Sequence, residues 1–147
     1  MNSGNLKKIN ENDSSVQSHL VILQNVIQRM AENCNSSKTW CVTIVSAILV
    51  AIADKNKPQM VWLCIAPILL FCALDIHYLA LEKGFRDSYN SFIKKLHSDI
   101  LSHEDLFAVN PSGKMVGHHI ESFLSFSVWA FYLVLLGLVI VTHFLIF

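Results

Sequence analysis

The chain has 147 residues, 53% hydrophobic and 15% charged, where a soluble domain carries about 25% charged residues. Eleven Lys and Arg balance eleven Asp and Glu, so the formal net charge is zero. This excludes a generally basic nucleic-acid coat and a disordered charged tail, and the length allows about one domain.

Residues 1–14 are rich in Asn, Ser, Lys and Asp and lack the apolar run of a signal peptide. Asp13, Ser14 or Ser15 can cap a helix. From there Val16, Leu20, Leu23, Ile27, Met30 and Cys34 recur at alternating steps of four and three, the spacing of a heptad seam. The same frame runs on through Ser37, Cys41, Ile44, Ile48 and Ala51. One long amphipathic N-terminal helix is therefore expected to continue into a membrane span without changing its contact face. Val21, Ile22 and Val26 widen the stripe beyond what a two-stranded coil needs. It packs either inside the monomer, against residues 82–122, or against copies of the chain; with little else to cover it, self-association is the favoured expectation.

Trp40 to Ala53 is the first uncharged run, 14 residues long. It reaches across a bilayer only if its helix begins near Ser36 or Ser37, because a span takes about 20 residues. Lys55-Asn56-Lys57-Pro58 reads as a tight turn. Met60 to Leu81 gives 22 residues with one acid, Asp75, near the end. Pro67 within it predicts a kink. Phe85, Tyr89, Phe92, Ile93 and Leu96 then make an apolar face on a helical extension, opposite Arg86, Asp87, Asn90, Lys94 and Lys95. His103 to Glu121 reads as irregular, with a turn at Asn110-Pro111-Ser112-Gly113 and a short strand or tucked loop at Leu106–Val109. Phe123 to Phe147 is the third span, 25 residues with no acid or base except His143.

The fold expected is an all-α membrane protein with three transmembrane helices, assembled as a homo-oligomeric bundle. Its parts are an N-terminal helix (1–38), a transmembrane hairpin (39–81), a helical extension and loop (82–122) and a third transmembrane helix (123–147). Nine Lys and Arg flank one side of the spans, against Lys55 and Lys57 on the other. The positive-inside rule then places the N-terminus and long loop in the cytoplasm and the C-terminus at the far face. Trp40, Trp62 and Trp129 stand near span ends, as interface anchors do.

Motifs for chemistry are few. The sequence holds no P-loop, dinucleotide fingerprint, zincin helix or nucleophile elbow, and only five glycines. An enzyme is not expected, nor a cofactor. Cys34, Cys41, Cys64 and Cys72 have no C-x-x-C spacing and read as small apolar residues. His118-His119-x-Glu121 has poor geometry for a metal, since adjacent helical residues diverge. Asp75 and His77 form a candidate polar pair near the membrane, where acids are rare and functional or paired. An interfacial acid hydrogen-bonded to a neighbouring helix, holding the bundle together, is the favoured reading of Asp75. Arg29, Lys38, Arg86, Lys94 and Lys95, with Phe85, Tyr89 and Phe92 interleaved, are candidate contacts for an anionic nucleotide. On the residues alone, the positive-inside signal with attraction to anionic lipid is the favoured reading of these cations.

Two polar blocks also carry a resemblance. The first runs His19-Leu20-x-x-Leu23-Gln24-Asn25-Val26-Ile27-x-Arg29-Met30-Ala31-x-Asn33, then Lys38-x-Trp40-x-Val42-Thr43. The second is Leu74-Asp75-x-x-Tyr78-Leu79-x-x-Glu82-x-x-Phe85-Arg86-x-x-Tyr89. A weaker third is Phe107-x-Val109 and a final span with Phe131-Tyr132. Together they resemble small multi-span membrane effectors of bacterial anti-phage systems linked to nucleotide signalling, of which Hailong-type effectors are one kind. The resemblance implies a homo-oligomer in the bacterial inner membrane, so that the far face holding the C-terminus would be periplasmic. A nucleotide or oligonucleotide from a partner synthase would open it to inorganic ions and so depolarise the infected cell. On that expectation the first helix lines the pore. The lining runs along Ser37, Cys41, Ile44, Ile48 and Ala51, or along the neighbouring stripe Thr39, Thr43, Ser46 and Val50; Thr43, Ile44, Ile48 and Ala51 are the gate candidates, and apolar rings at Ile44 and Ile48 close the pore by dewetting. Two other readings are a holin-like pore, against which the apolar ending Thr142–Phe147 counts, and a non-conducting scaffold for a partner enzyme.

Overall fold

The computed structural model describes residues 10–55 and 58–146. Lys7, Lys8, Phe147 and the turn residues Asn56 and Lys57 lie outside the described residues. The order is α1 (Ser14–Lys55), a 3-10 helix (Pro58–Cys64), α2 (Ile65–His97), a 3-10 turn (His103–Asp105), α3 (Met115–Phe123) and α4 (Phe126–Ile146). No strand occurs among the described residues.

The first helix is continuous for 42 residues, because no Gly or Pro interrupts Ser14–Lys55. Just before it, the Asp13 backbone oxygen accepts the N–H groups of Val16 and Gln17, while the Asp13 carboxylate takes the Asn10 N–H at 2.9 Å. At 1.5 Å per residue α1 is about 63 Å long, twice a bilayer core. Half of it therefore stands outside any membrane that the other half crosses. The third span, α4, has 21 residues, about 32 Å, the thickness of one hydrocarbon core. Among the described residues, three helices are long and apolar enough to cross a membrane. The described residues thus form an all-helical structure, with an apolar half and a polar head.

Two expectations of packing are corrected. The N-terminal stripe is covered within the monomer: Val16, Leu23, Met30, Cys34, Ser37 and Cys41 are buried, and α2 is the principal neighbour of α1. Beyond Cys41 the buried row passes to Val45 and Ile52, while Ile44 and Ala51 are exposed and Ile48 is half-buried. The reason is helical geometry. A straight helix of 3.6 residues per turn drifts from a seven-residue frame by about 20° per heptad, so after four heptads the inward position moves one residue along. Pro67, expected to kink the second span, sits instead in the first turn of α2. There a missing N–H breaks no helical bond, and the preceding segment is wound as a 3-10 helix.

The main core lies in the apolar half, where Cys41 and Val45 meet Val61, Cys64 and Ile68 and also Val128, Tyr132, Leu135 and Val139. A smaller core of Val16, Phe92 and Leu96 holds the head. Of the segment expected to be irregular, Met115–Phe123 is a helix, and Leu106–Val109 is a turn and loop with Phe107 and Ala108 exposed. That loop is fixed close to α2. The Ser112 N–H donates to the Gly84 oxygen at 3.0 Å, and the Ser88 hydroxyl donates to the Asn110 oxygen at 2.5 Å. Glycine is required at 84, since a Cβ would lie 2.9 Å from Pro111 Cβ.

Candidate functional site

Two places gather polar chemistry: a junction between the head and the apolar half, and the head itself. At the junction Lys38 of α1 meets α2 and α4 together. Its Nζ lies 3.4 Å from Asp75 Oδ2 and donates to the Ser127 hydroxyl at 3.1 Å. It also lies 5.9 Å from the centre of the Phe131 ring, in range for a cation–π contact. Asp75 is buried. The Cys34 thiol sits 3.8 Å from its backbone oxygen. Asp75 Oδ2 has no hydrogen-bond partner among the described residues, so the charge of Lys38 is its compensation. Since Ser127 lies in the first turn of α4, the pair sits level with the start of that span. A long lysine stem suits that level, with its head near the polar boundary.

His77, expected beside Asp75, takes another partner. Its Nδ1 lies 3.4 Å from Nε2 of His119 on α3, whose own Nδ1 contacts the Met115 oxygen at 2.8 Å. The three candidate metal donors likewise diverge: His118 meets Asp87 at 3.2 Å, His119 meets His77, and Glu121 meets Lys83 at 3.3 Å. No group of three metal donors forms among the described residues.

In the head, His19 is the residue that the sequence did not single out. It is buried, stacks on Phe92 at 4.3 Å between ring centres, and meets Phe107 edge-on at 6.3 Å. The Phe107 N–H donates to its Nδ1 at 2.9 Å. Phe107 adopts a φ of 63°, a left-handed backbone unusual for an aromatic residue. Burial lowers the affinity of His19 for a proton, with the Asp105 carboxylate opposing that. Asp105 itself is held below the usual carboxylate range by its bond from Lys95 at 2.7 Å and by the Ser102 N–H. His19, Ser88, Lys95, Asp105, Asn110 and Ser112 border a cavity of about 140 Å³. The one sequence signal for this site is that His19 lies beside the apolar seam, three residues after Val16 and four before Leu23.

The five candidate cations are not brought to one place. Lys38 is at the junction. Arg29 and Lys94 stand exposed. Lys95 lies by the His19 cavity, whereas Arg86 borders a second hollow of about 350 Å³ with Gln24, Ile27, Tyr89 and Asn90. Positions 86 and 95 are nine residues apart, half a turn on a helix, so the two hollows open on opposite sides of α2. Arg86 is also paired to Glu82 at 2.7 Å. On the first helix, Thr39, Thr43, Ser46 and Val50 are all exposed. The Thr39 and Thr43 hydroxyls donate to the Asn35 and Thr39 oxygens at 3.0 and 2.9 Å.

No known family model, curated protein or solved structure matches the chain.

Proposed function

We propose that the chain is a self-assembling membrane effector of bacterial anti-phage defence that conducts ions once its head binds an anionic nucleotide. The observation that carries the conducting part is the outward row Thr39, Thr43, Ser46 on the apolar half of α1. Its neighbour row is committed to the core through Cys41 and Val45. The threonines spend their hydroxyl donors on their own helix, leaving oxygen lone pairs outward. Such a row gains little from hydrocarbon and suits a water-lined path between copies. The core of the monomer is apolar, so a path requires several copies. This reading moves the lining from Ile44 and Ile48 to the hydroxyl row.

For the ligand, the hollow beside Arg86 offers a cation for phosphate, the Tyr89 ring for a base and the Gln24 and Asn90 amides for its edge. The resemblance in the polar blocks supplies the setting and the nucleotide class. The head belongs to the cytoplasm on the balance of basic residues.

The test is ion flux in liposomes holding the purified protein, with and without a panel of cyclic and linear oligonucleotides. Flux with one nucleotide alone is the expected outcome. R86E then abolishes activation while leaving the protein inserted, and normal activation of R86E removes the ligand assignment. Constitutive flux identifies a holin-like pore. An inserted oligomer without flux under any condition identifies a scaffold.

A further inference from the structure

α3 is a helix of nine residues with two unlike sides. One side is bound to α2 by three polar contacts: His118 with Asp87, His119 with His77, and Glu121 with Lys83. These fix its rotation. The other side carries Val116, Ile120 and Phe123, spaced four and three apart and within about 60° of one another around the helix. Val116 is 75% exposed and Ile120 57%, although both are large and apolar. The exposed apolar surface continues through Leu124 to Phe126, at 85%, and so into α4.

We infer that α3 lies flat in the lipid leaflet on the head side, with Val116, Ile120 and Phe123 in its hydrocarbon boundary. Three observations choose lipid over a protein partner. Phe126 opens the third span only three residues after Phe123, so the apolar side of α3 lies next to the level where that span enters hydrocarbon. Phe123 also packs on Trp129 at 5.4 Å, and both border a groove of about 210 Å³ between α2 and α4, with Ile68, Cys72, Ile76 and Tyr132. An apolar groove between two spanning helices is filled by acyl chains. Finally, the one acid on the exposed part of α3, Glu121, is neutralised by Lys83, and Lys114 stands exposed at the helix start. The rim is thus free of net negative charge, as an anionic headgroup layer requires. Segment 115–123 becomes an interfacial helix that ties the α2 extension to the membrane surface.

This inference rests on the membrane location alone and stands with or without conduction. The test places a nitroxide at Val116→Cys, Ile120→Cys and Glu121→Cys in the protein in phospholipid liposomes. Collision with oxygen, which partitions into lipid, is compared with collision with a water-soluble nickel chelate. The unsubstituted protein is the blank, because Cys34, Cys41 and Cys64 are buried and Cys72 is half-buried. Leu138→Cys, on the exposed side of α4, reports the membrane location itself. The expected result is an oxygen-to-nickel ratio several-fold higher at 116 and 120 than at 121, approaching that at 138. A lipid signal at 138 with water exposure at 116 and 120 overturns the inference. So does a lipid signal at 138 with neither reagent reaching 116 and 120, which means that protein covers them. A water signal at 138 removes the membrane location, and the inference with it.

Discussion

His19 and Lys38 are single side chains that each join distant parts of the chain. The Nδ1 of His19 accepts the Phe107 N–H, 88 positions away, and only the neutral ring can do so. Burial lowers its proton affinity below the ordinary value of 6.5, so the unfolded chain takes up the proton first as pH falls. Stability conferred by the neutral ring is therefore present above pH 6.5 and lost on acidification below it. Asp105 has the same sign at lower pH, because its carboxylate is held below 3.8. Thermal melts in detergent between pH 8 and 5 are expected to show a falling midpoint below pH 6.5. In H19N, whose amide oxygen can accept the same N–H, that slope disappears at a constant cost of about 1 kcal/mol for lost ring contact. An unchanged slope in H19N assigns the acid response to other groups. Half-buried Lys38 supplies the charge that compensates buried Asp75. K38M strands the acid and is expected to cost about 3–5 kcal/mol, whereas K38M with D75L restores most of it. A double variant as unstable as K38M shows that the pair does more than balance charge.

The helices differ in how plainly their sequences announce them. Absence of Gly and Pro from Ser14–Lys55, with a regular apolar row, made α1 legible as one helix. Its partner was not legible, because a stripe fits α2 or a second copy equally well until the chain is folded. The drift of the buried row to Val45 and Ile52 follows from helix pitch, yet a heptad frame conceals it. α3 was missed because nine residues give only two and a half turns of pattern, and Asn110-Pro111-Ser112-Gly113 draws attention to the turn before it. The His19 site was missed because its parts, Phe92, Asp105 and Phe107, come from separate segments. Gly84 gave no signal at all; its need arises only where the 110–112 loop docks on α2. G84A pushes a methyl to within 2.9 Å of Pro111 Cβ and 3.1 Å of Met115 Sδ. The methionine can yield, but the proline ring is rigid, so the substitution is expected to cost about 1–3 kcal/mol. Limited trypsinolysis reads this locally, since exposed Lys114 follows the docked loop. Faster cleavage after Lys114 in G84A is the expected result, and an unchanged rate shows that the loop is held elsewhere.

For the whole molecule, the question is which surface a second copy uses. The seam that favoured self-association is occupied by α2. Two kinds of surface remain on the apolar half. One is purely apolar, such as Leu133, Val134, Leu138 and Val141 on α4, and lipid covers it without loss. The other is the row Thr39, Thr43, Ser46 on α1, which gains from close helix approach and polar contact. The two can be told apart by oxidative cross-linking in native membranes. Thr43→Cys is expected to form disulfide-linked dimers on mild oxidation, while Leu133→Cys is not, because a disulfide needs Cα atoms within about 7 Å. Thr43→Val keeps the shape and removes the hydroxyl. If the row lines water, Thr43→Val lowers conductance while leaving the assembled mass unchanged. If the row only packs helices, conductance is unchanged and cross-linking at 43 persists. Cross-linking at 133 alone places the interface on α4 and turns the hydroxyl row toward lipid, which withdraws the conducting path assigned to it.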